Sequence, residues 1–155
     1  MSPGQDFTIP GVDILGEIGR GSGSVVYHGR HGDENLAIKI QRHRDPEESV
    51  RLRREALALA RVRHAGLAQV RDVGVTEGRV YIAMELVQGH SLADLLSGGP
   101  LPVPTVARIG IDVAGALNAL HNRGLVHRDI KPSNIILDHN GRTRLIDLGF
   151  VASIE

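Results

Sequence analysis

Apolar positions along this chain change their spacing twice. From Val12 to Ile40 they come in short runs, Val12-Asp13-Ile14-Leu15, Val25-Val26-Tyr27-His28 and Leu36-Ala37-Ile38-Lys39-Ile40. Glycine-rich and polar turns separate them, the pattern of an antiparallel meander. The period then lengthens. Pro46-Glu47-Glu48 suits a first helical turn, and the stretch to Arg63 is rich in Ala, Leu, Arg and Glu, which predicts one helix. Val50, Leu52, Ala56, Leu59 and Ala60 can share much of one face. Strand signals return at Leu67–Val75 and Val80–Val87, with Thr76-Glu77-Gly78-Arg79 as the turn of a hairpin.

Gly98-Gly99-Pro100 and Pro102 punctuate the chain before a second predicted helix, Pro104 to Arg123, with Gly124 suited to its C-terminal cap. Arg108, Asp112, Asn118 and Asn122 make a narrow polar stripe on it; most other positions are apolar, so this helix expects cover nearly all round. Ile135-Ile136-Leu137 and Thr143-Arg144-Leu145-Ile146 flank Asp138-His139-Asn140-Gly141-Arg142, where Asn-Gly signals a second hairpin. The expected fold is therefore α+β: five antiparallel strands with one helix, a Gly/Pro joint, then a helix and a hairpin. The expected divisions are a leader over 1–11, a first region over 12–87 and a second over 88–155.

Composition narrows the classes. Lys+Arg and Asp+Glu number 18 each, so net charge argues for neither a nucleic-acid nor a membrane partner. The absence of Cys excludes disulfides and thiolate metal sites and fits a reducing cytoplasm. The eight His lack metal-ligand spacing, residues 1–10 lack a signal-peptide pattern, and no apolar run approaches the roughly 18 residues of a membrane span. A soluble, cytoplasmic chain is expected.

The chemistry lies in four places. Gly19-Arg20-Gly21-Ser22-Gly23-Ser24-Val25-Val26 opens a β-rich run. A P-loop would end in Gly-Lys-Ser/Thr, and a dinucleotide fingerprint would open a helix. A strand–loop–strand of small residues lets backbone N–H groups approach phosphates, although the same residues also suit a plain flexible hairpin. Ala37 and Lys39 share a strand face, and Glu55 follows sixteen residues later within the first helix. Glu55 could equally serve a local helical pair with Arg51. Tyr81-Ile82-Ala83-Met84-Glu85-Leu86-Val87 reads first as a buried strand. Finally, His127-Arg128-Asp129-Ile130-Lys131-Pro132-Ser133-Asn134 precedes Asp147-Leu148-Gly149. An Asp, a Lys two on, an Asn five on and a second Asp eighteen on are groups suited to delivering a hydroxyl to a metal-bound triphosphate.

These motifs, in this order, resemble those of eukaryotic-type (Hanks-type) serine/threonine protein kinases over residues 12 to 152. The resemblance implies a kinase N-terminal lobe followed by the first part of a helical C-terminal lobe. Its cofactors are ATP and Mg²⁺, and its substrate is a protein carrying a Ser or Thr acceptor. It implies that Gly19, Gly21 and Ser24 (where a third Gly is usual) cradle phosphates, that Val26 covers one face of the adenine, and that Ala37 and Ile136 also belong to the cofactor site. Met84 takes the gatekeeper position, with main-chain groups of Glu85 and Val87 bonding adenine. Lys39 holds the α- and β-phosphates and pairs with Glu55. Asp129 orients the hydroxyl, Lys131 stabilises the transferring group, and Asn134 and Asp147 hold Mg²⁺. His127 is expected to pack between Leu148 and the second helix, and Lys-Pro-Ser-Asn resembles Ser/Thr rather than Tyr kinases.

Asp147-Leu148-Gly149 carries Leu where Phe is usual, and the sequence ends before an activation segment or an Ala-Pro-Glu-like anchor. Two readings follow: a Ser/Thr kinase in a complete parent protein, or, for this chain alone, a catalytically incompetent nucleotide-binding or interaction module. Self-association through the apolar helix 104–123 is expected of the latter.

Overall fold

The computed structural model describes residues 7–21, 23–147 and 152–153. They divide into two units. The first takes the chain through Ala60 together with Val70–Leu86; the second takes Arg61–Gln69 together with the chain from Val87 onward.

The first unit is built on strands β1 (Asp13–Arg20), β2 (Ser24–His31), β3 (Glu34–Gln41), β4 (Val70–Thr76) and β5 (Arg79–Glu85). They form one antiparallel sheet in the order β1-β2-β3-β5-β4. The strand expected over 67–75 starts only at Val70, and the one expected over 80–87 ends at Glu85. Register sorts the side chains, because directly paired residues share a face. Val25, Ile40 and Tyr81 align on one face, as do Tyr27, Ile38 and Ala83. With Phe7 and Ile9 these make the unit's core, and the Phe7 ring meets Tyr27 edge-on at 5.1 Å. The opposite face carries Val26, Lys39 and Ile82 in one row and His28, Ala37 and Met84 in the next.

Helix α1 (Pro46–Leu59) starts where the sequence predicts, with Asp45 accepting from the backbone N–H groups of Glu47 and Glu48 at 3.0 and 3.1 Å. It packs against β4 and β5 through Ala56 and Leu59. Val50, expected on that face, is exposed. The helix also stops four residues short of Arg63. The following segment is captured instead by extended pairing in the second unit. Ala68 N–H donates to the Leu145 carbonyl at 2.9 Å, and Leu145 N–H to the Gly66 carbonyl at 2.7 Å. Residues 61–69 thus leave the expected 12–87 region.

The second unit contains β6 (Gly89–Ser91), α2 (Leu92–Ser97), α3 (Val103–His121), β7 (Leu125–Val126), β8 (Ile135–Asp138), β9 (Thr143–Leu145) and β10 (Ala152–Ser153). A 3₁₀ turn covers Pro132–Asn134. β6, β8 and β9 form one sheet, and β7 pairs with β10. Gly89 is demanded by this packing: at φ +156° a Cβ would fall 2.1 Å from the Leu137 carbonyl oxygen. The β8–β9 hairpin forms around Asn140-Gly141, its turn held by Asp138 Oδ1, which accepts from Asn140 and Arg142 N–H at 2.9 Å each.

Helix α2 was not expected from the sequence. It is opened by a capping box, with Ser91 Oγ accepting from Asp94 N–H at 3.0 Å and the Asp94 carboxylate accepting from Ser91 N–H. Helix α3 buries only Ile109, Ala116 and Leu120, while Val103, Val106 and Ile111 are exposed at 80, 53 and 69%. Among the described residues α3 is the one helix whose length and mean hydropathy, 1.2, would let it cross a membrane. The expectation that no apolar run approaches span length missed it, because Arg108 and Asp112 interrupt its apolar positions.

Candidate functional site

The polar-capable face of the first unit brings several expected residues together. Val26 and Lys39 pair across β2 and β3, Ala37 and Met84 across β3 and β5, and Gly19 faces Val26 from β1. Lys39 is 8% exposed and Met84 4%. Val26 and Ala37 are half-buried.

The glycine loop is tied at its base. Gly21 N–H donates to the Ser24 carbonyl at 2.8 Å, and Arg42 N–H donates to the Gly23 carbonyl at 3.0 Å. The Arg42 guanidinium reaches the Gly21 carbonyl at 3.4 Å. Arg42 is a loop-holding residue that motif reading missed; only the register of β3 against the loop reveals it. Gly19 and Gly21 have ordinary φ, and a Cβ on either would meet nothing closer than 3.7 Å. The fold therefore does not require these glycines. Beside the loop, Arg20 grips Glu17 with two guanidinium nitrogens, which lowers the Glu17 pKa and raises that of Arg20.

Glu55 lies half-buried on α1. Among the described residues it forms no ion pair with Lys39. The expected Lys39–Glu55 bridge is not closed in this structure, in which the outer face of α1 is largely exposed. Glu85 closes β5 opposite Leu36, and Leu86 N–H donates to the Asn35 carbonyl at 3.2 Å. The boundary between the units falls immediately before Val87.

In the second unit three expected residues converge. Lys131 Nζ donates to Asp129 Oδ2 at 2.8 Å. Asn134 Nδ2 donates to the same oxygen and to the Asp129 carbonyl, both at 2.9 Å. The Lys131 hydrogen bond is the main reason the Asp129 pKa is lowered; the Asn134 bond adds to it, while partial burial opposes both. Lys131 is raised in turn by Asp129 first, and by the charge of Asp147 last. Ile136 is buried on β8, paired with Ser91 and Arg144.

His127, 1% exposed, is a strut rather than a filler. Its Nδ1 accepts from Asp129 N–H at 3.3 Å, and its Nε2 lies 3.2 Å from the Ile146 carbonyl. The neutral tautomer protonated at Nε2 satisfies both bonds. The expected contact with Leu148 lies outside the described residues, as does the Leu148-Gly149 part of the motif. Asn134 also accepts from Ile146 N–H at 3.0 Å. Asp129, Asn134 and the residue preceding Asp147 are thus cross-linked. Arg128 and Asp147 hold φ of +66° and +56°, two of the three such non-glycine residues among those described. Strained backbone of this kind clusters where a side chain must be aimed.

The donor set fits Mg²⁺ better than a transition metal. Among the described residues no group of three or more His, Asp or Glu could enclose an ion. Asn134 commits its amide nitrogen to Asp129, which leaves its Oδ1 as one hard oxygen donor, and the Asp147 carboxylate would supply a second. Mg²⁺ commonly takes only one or two protein oxygens, with phosphate and water completing the shell.

Comparison with known proteins agrees with this arrangement. The protein kinase domain family matches residues 12–155. The chain is 32% identical over 149 residues to the probable serine/threonine-protein kinase PknB of Lactococcus lactis, covering 92% of this chain and 24% of that protein. It is 36% identical over 147 residues to the serine/threonine-protein kinase PknL of Mycobacterium tuberculosis, covering 91% of this chain and 37% of the relative. Across the similar curated proteins the chain spans between 22 and 37% of their length. The crystal structure of the M. tuberculosis PknI kinase domain superposes with a TM-score of 0.80 at 31% identity, over 96% of this chain and 61% of that one. With the family matched along nearly its whole length and the fold shared at this level, the chain belongs to the protein kinase domain family.

Proposed function

We propose that this chain carries the nucleotide site and catalytic loop of a serine/threonine protein kinase, transferring the ATP γ-phosphoryl group to a protein hydroxyl. The observation that carries the reading is Asp129, held ionised by Lys131 and Asn134 and cross-linked through Asn134 and His127 to the backbone beside Asp147. Mg²⁺·ATP, when bound, supplies the transferable group and neutralises much of its charge.

The chain's own residues do the rest. Main-chain N–H groups of the Gly19–Ser24 loop approach phosphate oxygens, which explains glycines that the fold itself does not need. Lys39 binds the α- and β-phosphates. Val26, Ala37, Met84 and Ile136 bury the base, and main-chain groups of Glu85 and Val87 bond its edge. Asn134 Oδ1 and Asp147 hold the metal. Asp129 accepts a hydrogen bond from the acceptor hydroxyl and fixes its direction of attack. A carboxylate with a lowered pKa is a weak base, so it takes the proton late, as the new P–O bond forms. Lys131 keeps its charge throughout and can share it between Asp129 and the departing phosphoryl oxygens. The Ser/Thr preference rests on Lys131-Pro132-Ser133-Asn134 and on the names of the relatives; a cytoplasmic location rests on the absence of cysteine.

Calorimetric titration with ATP in the presence and absence of Mg²⁺ tests the nucleotide site. The wild-type chain binds in a Mg²⁺-dependent way, and Lys39→Ala binds more weakly with an unchanged circular dichroism spectrum. Equal affinity for the two proteins would remove Lys39 from the site.

A further inference from the structure

A cleft of about 250 Å³ opens in the second unit between the Arg61–Gln69 segment, α3 and the β8–β9 turn. His64, Gly66, Arg108, Asp112, Arg142 and Thr143 are among the residues that line it. None of them belongs to the kinase machinery described above.

The cleft is held in place by its backbone. Gly66 N–H donates to His64 Nδ1 at 3.0 Å, and its carbonyl accepts from Leu145 N–H. Close approach of this segment to α3 needs a glycine, since a Cβ at Gly66 would sit 3.2 Å from the Ala116 Cβ. Arg142 N–H is fixed by Asp138 Oδ1. Thr143 is 4% exposed at the root of β9. Arg108 and Asp112 stand one turn apart on α3.

The charges are placed but not spent. Among the described residues neither Arg108 nor Arg142 has a carboxylate within ion-pair reach, and Asp112, four residues from Arg108, is not paired with it. Two guanidinium groups against one carboxylate leave the cleft positive. His64 accepts at Nδ1, so when neutral it carries its proton on Nε2 as a further donor. The two arginines come from different elements. A planar carboxylate is matched by the fork of a single arginine, whereas a tetrahedral phosphate offers three terminal oxygens to donors arriving from separate directions. Its charge of about −1.5 to −2 also outweighs the repulsion of one aspartate.

We propose that this cleft binds a phosphate monoester, with Arg108 and Arg142 donating to the oxyanion and a ligand N–H donating to Asp112. The test is calorimetric titration of the full chain with a phosphoserine peptide, its unphosphorylated counterpart and inorganic phosphate. Arg108→Gln, Arg142→Gln and Asp112→Asn are compared with wild type, and circular dichroism checks each fold. The phosphopeptide binds saturably and the unphosphorylated peptide does not. Each arginine variant weakens binding about tenfold, the loss expected for one charge-assisted hydrogen bond. Inorganic phosphate binds more weakly than the phosphopeptide and loses affinity in the same two variants. Arg142→Gln keeps the turn's backbone bonds and so remains decisive if Arg108→Gln misfolds. Equal binding of the two peptides, or phosphopeptide affinity unchanged in a folded Arg142→Gln, overturns the proposal.

Discussion

Asn134 gives both bonds of its side-chain amide to Asp129, one to the carbonyl and one to the carboxylate, each at 2.9 Å. Asn134 is 5% exposed, so its loss leaves the Asp129 carbonyl without this donor in a nearly dry setting. Asn134→Leu is expected to cost about 1–3 kcal/mol of stability, the range for an orphaned buried polar group. It should also abolish the Mg²⁺ dependence of ATP binding. Urea denaturation and calorimetry check the two effects separately.

The Lys131–Asp129 bond sets the pH behaviour. The Asp129 pKa is lowered below the ordinary 3.8, first by its hydrogen bond to Lys131. A carboxylate with a depressed folded pKa contributes stability that is present above the unfolded value and is lost as pH falls through the folded one. Asp129 is therefore fully ionised near neutrality. Lys131→Met should move its titration upward, toward or past 3.8, as followed by NMR of the Asp129 carboxyl carbon. An unshifted titration would show that Lys131 does not hold the carboxylate.

Tyr81 sits in the core of the first unit with its hydroxyl donating to Asp72 Oδ2 at 2.6 Å. Burial, followed by the Asp72 bond, pushes its pKa from 10.0 to about 12. Here the sign reverses. A phenol with a raised folded pKa contributes stability that is present below pH 10.0 and lost as pH climbs toward about 12. Tyr81→Phe should cost about 0.5–1.5 kcal/mol and remove that alkaline dependence. Gly74→Ala should destabilise as well, since its Cβ would meet the Tyr81 hydroxyl oxygen at 2.5 Å. Urea melts at neutral and alkaline pH read all three effects.

The exposed row on α3 leads to a solution property. Val106 and Ile111 are 53 and 69% exposed, so covering them regains part of the roughly 1.5–3 kcal/mol that full burial of such a side chain is worth, which favours a second copy of the chain on this helix. Light scattering should find association in the wild-type chain and a smaller species for Val106→Lys/Ile111→Lys. A wild-type monomer at high concentration would dismiss this use of the face.

What the sequence disclosed followed its redundancy. The meander was legible because β-branched runs, turns and alternation all agreed, and α1 began where Pro46-Glu47-Glu48 said it should. α1 ended early because residues 61–69 are captured by Leu145, a pairing between segments about eighty residues apart that no local pattern carries. α2 was legible in principle through Ser91 and Asp94, but six residues with no buried side chain give no periodicity. In the site, Asp129, Lys131 and Asn134 come together, as the kinase resemblance implied. The Lys39–Glu55 pair depends on where α1 lies against the sheet, and sequence spacing does not set that. The strut role of His127 was hidden because a buried imidazole looks alike in sequence whether it packs or bonds.

The most direct test of the central claim is phosphoryl transfer to a serine peptide by the protein that carries this chain, measured for wild type and Asp129→Asn. Asp129 acts on the acceptor hydroxyl, so turnover should fall about 10²–10⁴-fold, the range for removing a positioned general base. Mg²⁺·ATP affinity should stay at the wild-type level. Turnover near wild type in Asp129→Asn, or a loss of ATP affinity as large as the loss of turnover, would contradict the assignment.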